Sequence, residues 1–175
     1  MFDLLVMAHL DDEIIWVDPS LFKKIVVCYG GPGRDQALAL HPLRDRIEWL
    51  EIPERSHRDH PDQIEESQAI RIALIAHRGA GTVFTHNPWG EMGHSHHRAV
   101  YRAVAATFET VHFSTFDRNC LNKKDYKNKI TLPFDFLFFE RTKILYKLLN
   151  LWTGFDLYPM PCFERDYYVD VRMHN

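Results

Sequence analysis

Two short clusters hold the residues best suited to chemistry. One is His9-Leu10-Asp11-Asp12-Glu13 and the other is Gly93-His94-Ser95-His96-His97-Arg98. An imidazole and carboxylates at the end of a rigid strand can hold a divalent metal. His9 and Asp12 are three apart, so a tight loop turns both side chains onto one point, with Asp11 projecting nearby. Zinc takes about four ligands, and a catalytic zinc keeps one position for water. His9 and Asp12 therefore leave one protein ligand to be found. His94 and His97 stand one helical turn apart and face the same way. One of them can complete the set while the other serves the substrate. Two histidines and a carboxylate form a hydrolytic zinc set, and such an ion lowers the pKa of its water to about 7. Asp11 would accept the proton as that water attacks. A histidine across from it could donate to the oxyanion or to the leaving amine.

Each cluster alone has a plainer reading. The first could be a solvated loop, or Asp12 could cap a helix. The second could be a helix start with surface imidazoles, or a pH-sensing or nucleic-acid patch. The chemical reading comes from the two together, each supplying what the other lacks.

The surrounding pattern explains how they meet. Residues 2–8 form an apolar run that ends abruptly at His9, which predicts a buried strand followed by a polar loop. Residues 24–29 predict a second strand, stopped by Gly30-Gly31-Pro32-Gly33. Residues 42–50 read as loosely helical. Residues 64–77 carry Ile64, Ala69, Ile72, Ala73 and Ala76 at helical spacing, ended by Gly79 and Gly81. Residues 82–85 predict a third strand that again runs straight into polar residues, His86-Asn87-Pro88-Trp89-Gly90-Glu91. Residues 96–108 predict a helix with Val100, Val104 and Phe108 on one stripe. Residues 111–116 predict a fourth strand. Residues 140–152 predict an amphipathic helix with Ile144, Leu145, Leu148, Leu149 and Trp152 inward. Residues 167–171 predict a last strand. Strands alternating with helices imply parallel β-α-β units. In such α/β sheets the site gathers at the carboxyl ends of the strands, where both clusters sit.

Composition narrows the class. The 175 residues are 46% hydrophobic and 26% charged with a net charge of -3, the balance of an ordinary globular protein. That length predicts a single domain over residues 1–175. No long basic run is present, so nucleic acid is not an expected partner. Cys28, Cys120 and Cys162 are few and far apart, which argues against a disulfide framework or a cysteine-rich zinc site. No apolar run is long enough to predict a transmembrane segment. The N-terminal Met-Phe-Asp lacks the basic stretch of a secretory signal, and the cytoplasm is the expected location.

These residues also resemble those of the PIG-L/LmbE-like deacetylases, which act on N-acetylglucosamine-containing substrates and similar amides. The resemblance is carried by Ala8-His9-Leu10-Asp11-Asp12-Glu13 and by the run from Thr85 to His97, in that order and at that separation. It is good over residues 2–31 and 81–104 and weak elsewhere. It implies a Rossmann-like three-layer fold with a mostly parallel sheet. It implies Zn2+, or Fe2+ or another divalent ion, held by His9, Asp12 and His97. It also implies Asp11 as general base and His94 as acid or oxyanion partner. The chain departs from the family pattern at three places. Leu10 stands where proline is frequent, His96 where an acidic residue often orients the catalytic histidine, and Met92 where a tyrosine often assists the oxyanion. Methionine cannot donate a hydrogen bond. Arg34, Arg44 and Arg46 all qualify as the arginine that meets the substrate, and Arg34 follows the second strand most closely.

Asn87 and Trp89 suit a sugar site, and they equally suit a turn with a packed tryptophan. Glu13 and Glu91 are expected to orient histidines from behind. Phe134, Phe136, Phe138, Phe139, Trp152 and Phe155 suit a core better than a lipid-linked substrate. The expected activity is zinc-dependent deacetylation of an N-acetylated amino sugar, with a small-molecule or glycan substrate. The alternatives are a deacylase of a non-sugar amide such as an acylated polyamine or natural-product intermediate, a dinuclear phosphoesterase using His86 and His96, and a metal-binding scaffold without activity.

Overall fold

In the computed structural model, residues 1–54, 63–91, 93–114, 129–149 and 164–171 are described. The strands are β1 (Phe2–Met7), β2 (Phe22–Gly30), β3 (Ile47–Pro53), β4 (Val83–Thr85), β5 (Thr110–Ser114), β6 (Lys129–Pro133) and β7 (Glu164–Val171). The helices are α1 (Asp12–Ile15), α2 (Arg34–Leu40), α3 (Gln63–Leu74), α4 (Ser95–Ala105) and α5 (Phe136–Leu148). The strands form one sheet in the order β3-β2-β1-β4-β5-β7-β6. The first five are parallel. β7 runs antiparallel to both β5 and β6.

This is the α/β architecture expected from the alternation of strands and helices. Because both faces of a parallel sheet are covered, its central strands read as continuous apolar runs. β1 sends Leu4 and Val6 to one face and Leu5 and Met7 to the other. The first pair packs with Ile70 and Leu74 of α3 and Val100 and Val104 of α4. The second pair packs with Ile14 and Ile15 of α1, Ala37 of α2, and Phe139 and Tyr146 of α5. The result is three layers. Chain order reverses between β1 and β4, and that switch point is where such folds open a crevice beyond the carboxyl strand ends. β1 delivers His9 to that place and β4 delivers His86.

Three expectations need correction. Residues 42–50 are not helical: a short 3-10 turn at Arg44–Arg46 leads into β3. β3 is an edge strand and half-exposed, so Glu48 and Glu51 interrupt its apolar residues and imitate helical spacing. In α3 the stripe is rotated. Ile64 and Ile72 are exposed, while Glu66, Ile70 and Leu74 face inward. The buried Tyr29 hydroxyl decides this, because it donates to Glu66 Oε2 at 2.9 Å. α5 starts earlier than expected, at an Asp135 cap whose side chain accepts from the Phe138 N–H. It buries Phe139, Thr142 and Tyr146, leaving Ile144 and Leu148 exposed. Phe134 and Phe139 are core residues. Trp152, Phe155, Cys120 and Cys162 lie outside the described residues. Among the described residues no helix is long and apolar enough to cross a membrane.

Candidate active site

After β1 the chain turns through His9-Leu10-Asp11 into α1, and the turn is closed by the Asp12 side chain. Asp12 Oδ2 accepts the His9 backbone N–H at 2.9 Å, and Oδ1 accepts the Trp16 indole N–H at 3.0 Å. These bonds hold the carboxylate in one orientation. Its Oδ2 then stands 3.1 Å from His9 Nδ1 and 3.3 Å from His97 Nε2.

On the other side, β4 leads into a tight turn whose Gly90 and Glu91 both have positive φ, 75° and 53°. A non-glycine residue in the left-handed region is uncommon and concentrates at functional sites. Here the turn drives the Glu91 carboxylate into the core. Oε1 accepts the Asn87 N–H at 2.9 Å and the Ser114 hydroxyl at 2.6 Å. Oε2 stands 2.7 Å from His97 Nδ1 and 3.1 Å from His86 Nδ1. Burial opposes the charge on Glu91, but His86 and His97 outweigh it and hold the carboxyl at about 2. A carboxylate only accepts, so both imidazoles carry a proton on Nδ1, and His86 keeps a lone pair on Nε2. His86 uses that lone pair to accept the Ala8 N–H at 2.9 Å. His97 Nε2 faces Asp12 Oδ2 and donates to it when protonated.

His9 and His97 each approach Asp12 Oδ2, and two imidazoles with a carboxylate suit a divalent metal by their chemistry. Tetrahedral ligands about 2.0–2.2 Å from one zinc stand about 3.3–3.6 Å apart. The 3.1 and 3.3 Å separations around Asp12 Oδ2 are close to such edges. Among the described residues, His9, His94 and His97 bring ligand atoms within 4.8 Å of one another, as do Asp12, His86 and His97, and His9, Asp11 and Asp12; each pair of His9, Asp12 and His97 shares one of these groups, and the three together do not form one. The same point attracts positive charge. Burial disfavours a proton on His97, yet Asp12 and Glu91 raise its pKa to about 10. Burial lowers His9 to about 3, and burial with the neighbouring histidines lowers His94 to about 2. His94 immediately precedes α4, and its ring stacks on His97 at 4.4 Å.

No protein-family model matches the chain. No curated protein matches it either. Solved structures do. One is the A40926 pseudoaglycone deacetylase Dbv21, with 12% identity and a TM-score of 0.58 over 99% of each chain. Another is a deacetylase of the teicoplanin biosynthesis pathway in complex with teicoplanin. It shows 11% identity and a TM-score of 0.58, covering 99% of this chain and 100% of that one. A third, a deacetylase from that pathway in its bog complex, has 16% identity and a TM-score of 0.57 over 97% and 98%. This chain has the fold of these deacetylases. The architecture expected from the resemblance is therefore the one observed.

Asp11 lies beside Asp12, and with His9 and Asp12 it forms one of the groups whose ligand atoms lie within 4.8 Å of one another. Its side chain is about one-fifth exposed, and Oδ1 stands 3.4 Å from Arg34 Nη1. Burial raises its pKa, the Asp12 charge adds to this, and Arg34 opposes both. Of the three arginines, Arg34 is the one at the site, bonded also to Leu10 O and to Glu54 Oε1. Arg44 bonds Ala39 O, and Arg46 bonds Ser20 O and Phe22 O at the opposite end of β2. Asn87 spends both ends of its amide inside the turn: Oδ1 accepts the Glu91 N–H and Nδ2 meets Ser114 Oγ. Trp89 packs its ring edge-on to Phe113. Met92 lies outside the described residues.

Glu91 orients histidines as expected of it, whereas Glu13 supports the Asp11 backbone. Glu13 Oε2 accepts the Asp11 N–H at 2.7 Å and Oε1 accepts the Tyr146 hydroxyl at 2.5 Å. His41 Nε2 stands 3.4 Å from Oε1. Trp16, Ser114 and Tyr146 escaped the sequence reading. Trp16 lies four residues beyond Asp12, one helical turn, and that spacing was the available signal. Ser114 and Tyr146 carry no local signal because they reach the site only through the sheet and α5.

Proposed function

We propose that this protein is a metal-dependent amide hydrolase that removes an acetyl group from an N-acetylated amino sugar. The convergence of His9 Nδ1 and His97 Nε2 on Asp12 Oδ2, beside a fourth acidic or basic group on either flank, carries this reading. The deacetylases of like fold support it. A divalent ion held by His9, Asp12 and His97, zinc or ferrous iron, supplies Lewis acidity toward water and a carbonyl oxygen. Asp11 takes the proton from the attacking water. Its raised pKa makes it a stronger base than a solvated carboxylate. His94, on the other flank, is held neutral by burial and the neighbouring histidines and donates a ring N–H to the developing oxyanion, while the proton taken up by Asp11 passes to the leaving amine. Glu91 keeps the His97 proton on Nδ1, so that Nε2 faces the ion. Arg34 lies at the mouth beside Asp11 and contacts substrate. Asn87 and Trp89 shape the loop that carries Glu91.

A natural-product amide is the second reading. It is favoured by the A40926 and teicoplanin pathway deacetylases that share the fold. The test is direct. Metal-loaded and chelator-stripped protein are incubated with N-acetylated sugars, sugar nucleotides, lipid-linked sugars and N-acylated glycopeptides, and free acid and amine are quantified. Release from an amino sugar by the loaded form alone is expected. Release from none of the panel overturns the hydrolase reading, and release from the glycopeptides alone moves it to the second.

A further inference from the structure

His96 is buried, lies between two residues of the site, and is not used by the chemistry above. Its Nδ1 stands 3.0 Å from His9 Nε2. Its ring stacks on Tyr29 at 4.2 Å with 21° between the planes. Tyr29 is itself fixed by donating to Glu66 of α3. The His96 ring is therefore clamped by β2 and α3 while its Nδ1 meets the far side of His9.

The tautomers follow in sequence. An imidazole that ligates through Nδ1 has its lone pair there and its proton on Nε2. In a buried place that N–H must find an acceptor, because leaving it unpaired costs its full desolvation. Metal-bound histidines nearly always donate their second N–H to a fixed partner, which sets ring orientation and basicity. His97 has Glu91 in that role. Among the described residues the carboxylate facing His9 Nε2 is Glu54, whose Oε1 stands 3.4 Å away, makes no hydrogen bond and is ion-paired with Arg34 at 3.1 Å. The bond to His96 Nδ1 is shorter.

We propose that His96 is a positioning residue that accepts the His9 Nε2 proton and so fixes His9 as a ligand through Nδ1. This rests on the metal-centre reading given above. A neutral acceptor suits the place, because Asp11, Asp12, Glu13, Glu54 and Glu91 already bring acidic side chains to the site. An imidazole orients His9 without adding another.

Three variants separate this role from packing. His96→Phe keeps an aromatic ring on Tyr29 and removes the acceptor. His96→Asn removes the ring and restores an amide oxygen near the Nδ1 position. Glu54→Gln probes the competing partner. Zinc dissociation constants are measured by chelator competition, and the visible spectra of the Co2+-loaded proteins are recorded alongside near-ultraviolet circular dichroism. His96→Phe should weaken zinc about 10- to 100-fold and alter the cobalt bands. His96→Asn should recover both, and Glu54→Gln should leave both unchanged. Wild-type affinity in His96→Phe, failure of His96→Asn to rescue, or an equal loss in Glu54→Gln each overturns the assignment. A wild-type protein that binds neither ion overturns the metal centre itself, and this inference with it.

Discussion

The backbone N–H of Ala8 donates to His86 Nε2 at 2.9 Å. That bond uses the lone pair His86 would need for a metal, because its Nδ1 proton is committed to Glu91. His86 thus serves as a brace between β1 and the Glu91 turn. His86→Gln, which can present a side-chain oxygen to Ala8, should keep about one ion per chain. His97→Ala should lose it. Metal content by elemental analysis decides, and equal loss in both variants returns His86 to the ligand set.

Asp11 and Asp12 are adjacent carboxylates in different surroundings. Asp12 meets His9 and His97, whereas Asp11 meets Arg34. Asp12→Ala should lose metal and activity together. Asp11→Asn keeps shape but cannot take a proton, so it should retain metal while kcat falls on the order of 10²–10⁴. Metal loss in Asp11→Asn with retention in Asp12→Ala would exchange the two roles.

Arg34 touches Leu10 O, Asp11 and Glu54 at once. Arg34→Ala should raise KM and also lower kcat, since it removes both a substrate contact and the cation that faces the base. Zinc affinity should be unaffected. Steady-state kinetics with unchanged KM and kcat would take Arg34 out of the site.

The Tyr146 hydroxyl reaches Glu13, and Glu13 holds the Asp11 backbone. Tyr146→Phe deletes only that hydroxyl. A buried hydrogen bond of this kind is worth about 1–3 kcal/mol, which at roughly 2–4 °C per kcal/mol for this size predicts a measurable fall in Tm. Thermal unfolding followed by circular dichroism checks it, and an unchanged Tm would show that the bond adds nothing to stability.

Gly90 adopts φ of 75°, and a Cβ there would stand 2.4 Å from the His94 carbonyl oxygen. That neighbour is backbone and cannot move without displacing His94 and the start of α4. Gly90→Ala should therefore lose metal as well as stability. Retained zinc affinity in this variant would show that the turn does not set the site.

Much was determined by the sequence alone. Residues 4–8 of the β1 run and 25–28 of β2 are continuously apolar because both sheet faces are covered there, so strand identity was legible from composition. The His9–Glu13 and His94–His97 clusters were legible because each is local, with spacings of a few residues that a turn or one helical step converts into proximity. What the sequence left open was decided by contacts between distant segments. The stripes of α3 and α5 were misjudged because apolar residues lie on more than one side of each helix. Tyr29 and Glu13, both remote in the chain, select the side that faces in. β3 was misread because an edge strand lacks the uniform burial that marks a central one. His86 looked like a spare ligand until the parallel pairing of β1 with β4 set the Ala8 N–H against it. Arg34, Arg44 and Arg46 all qualified in the sequence, and only its place after the second strand favoured Arg34. The packing of α2 beside the β1 turn sets Arg34 against Leu10 and Asp11, because a side chain's partners across the sheet depend on strand order, which no local spacing encodes.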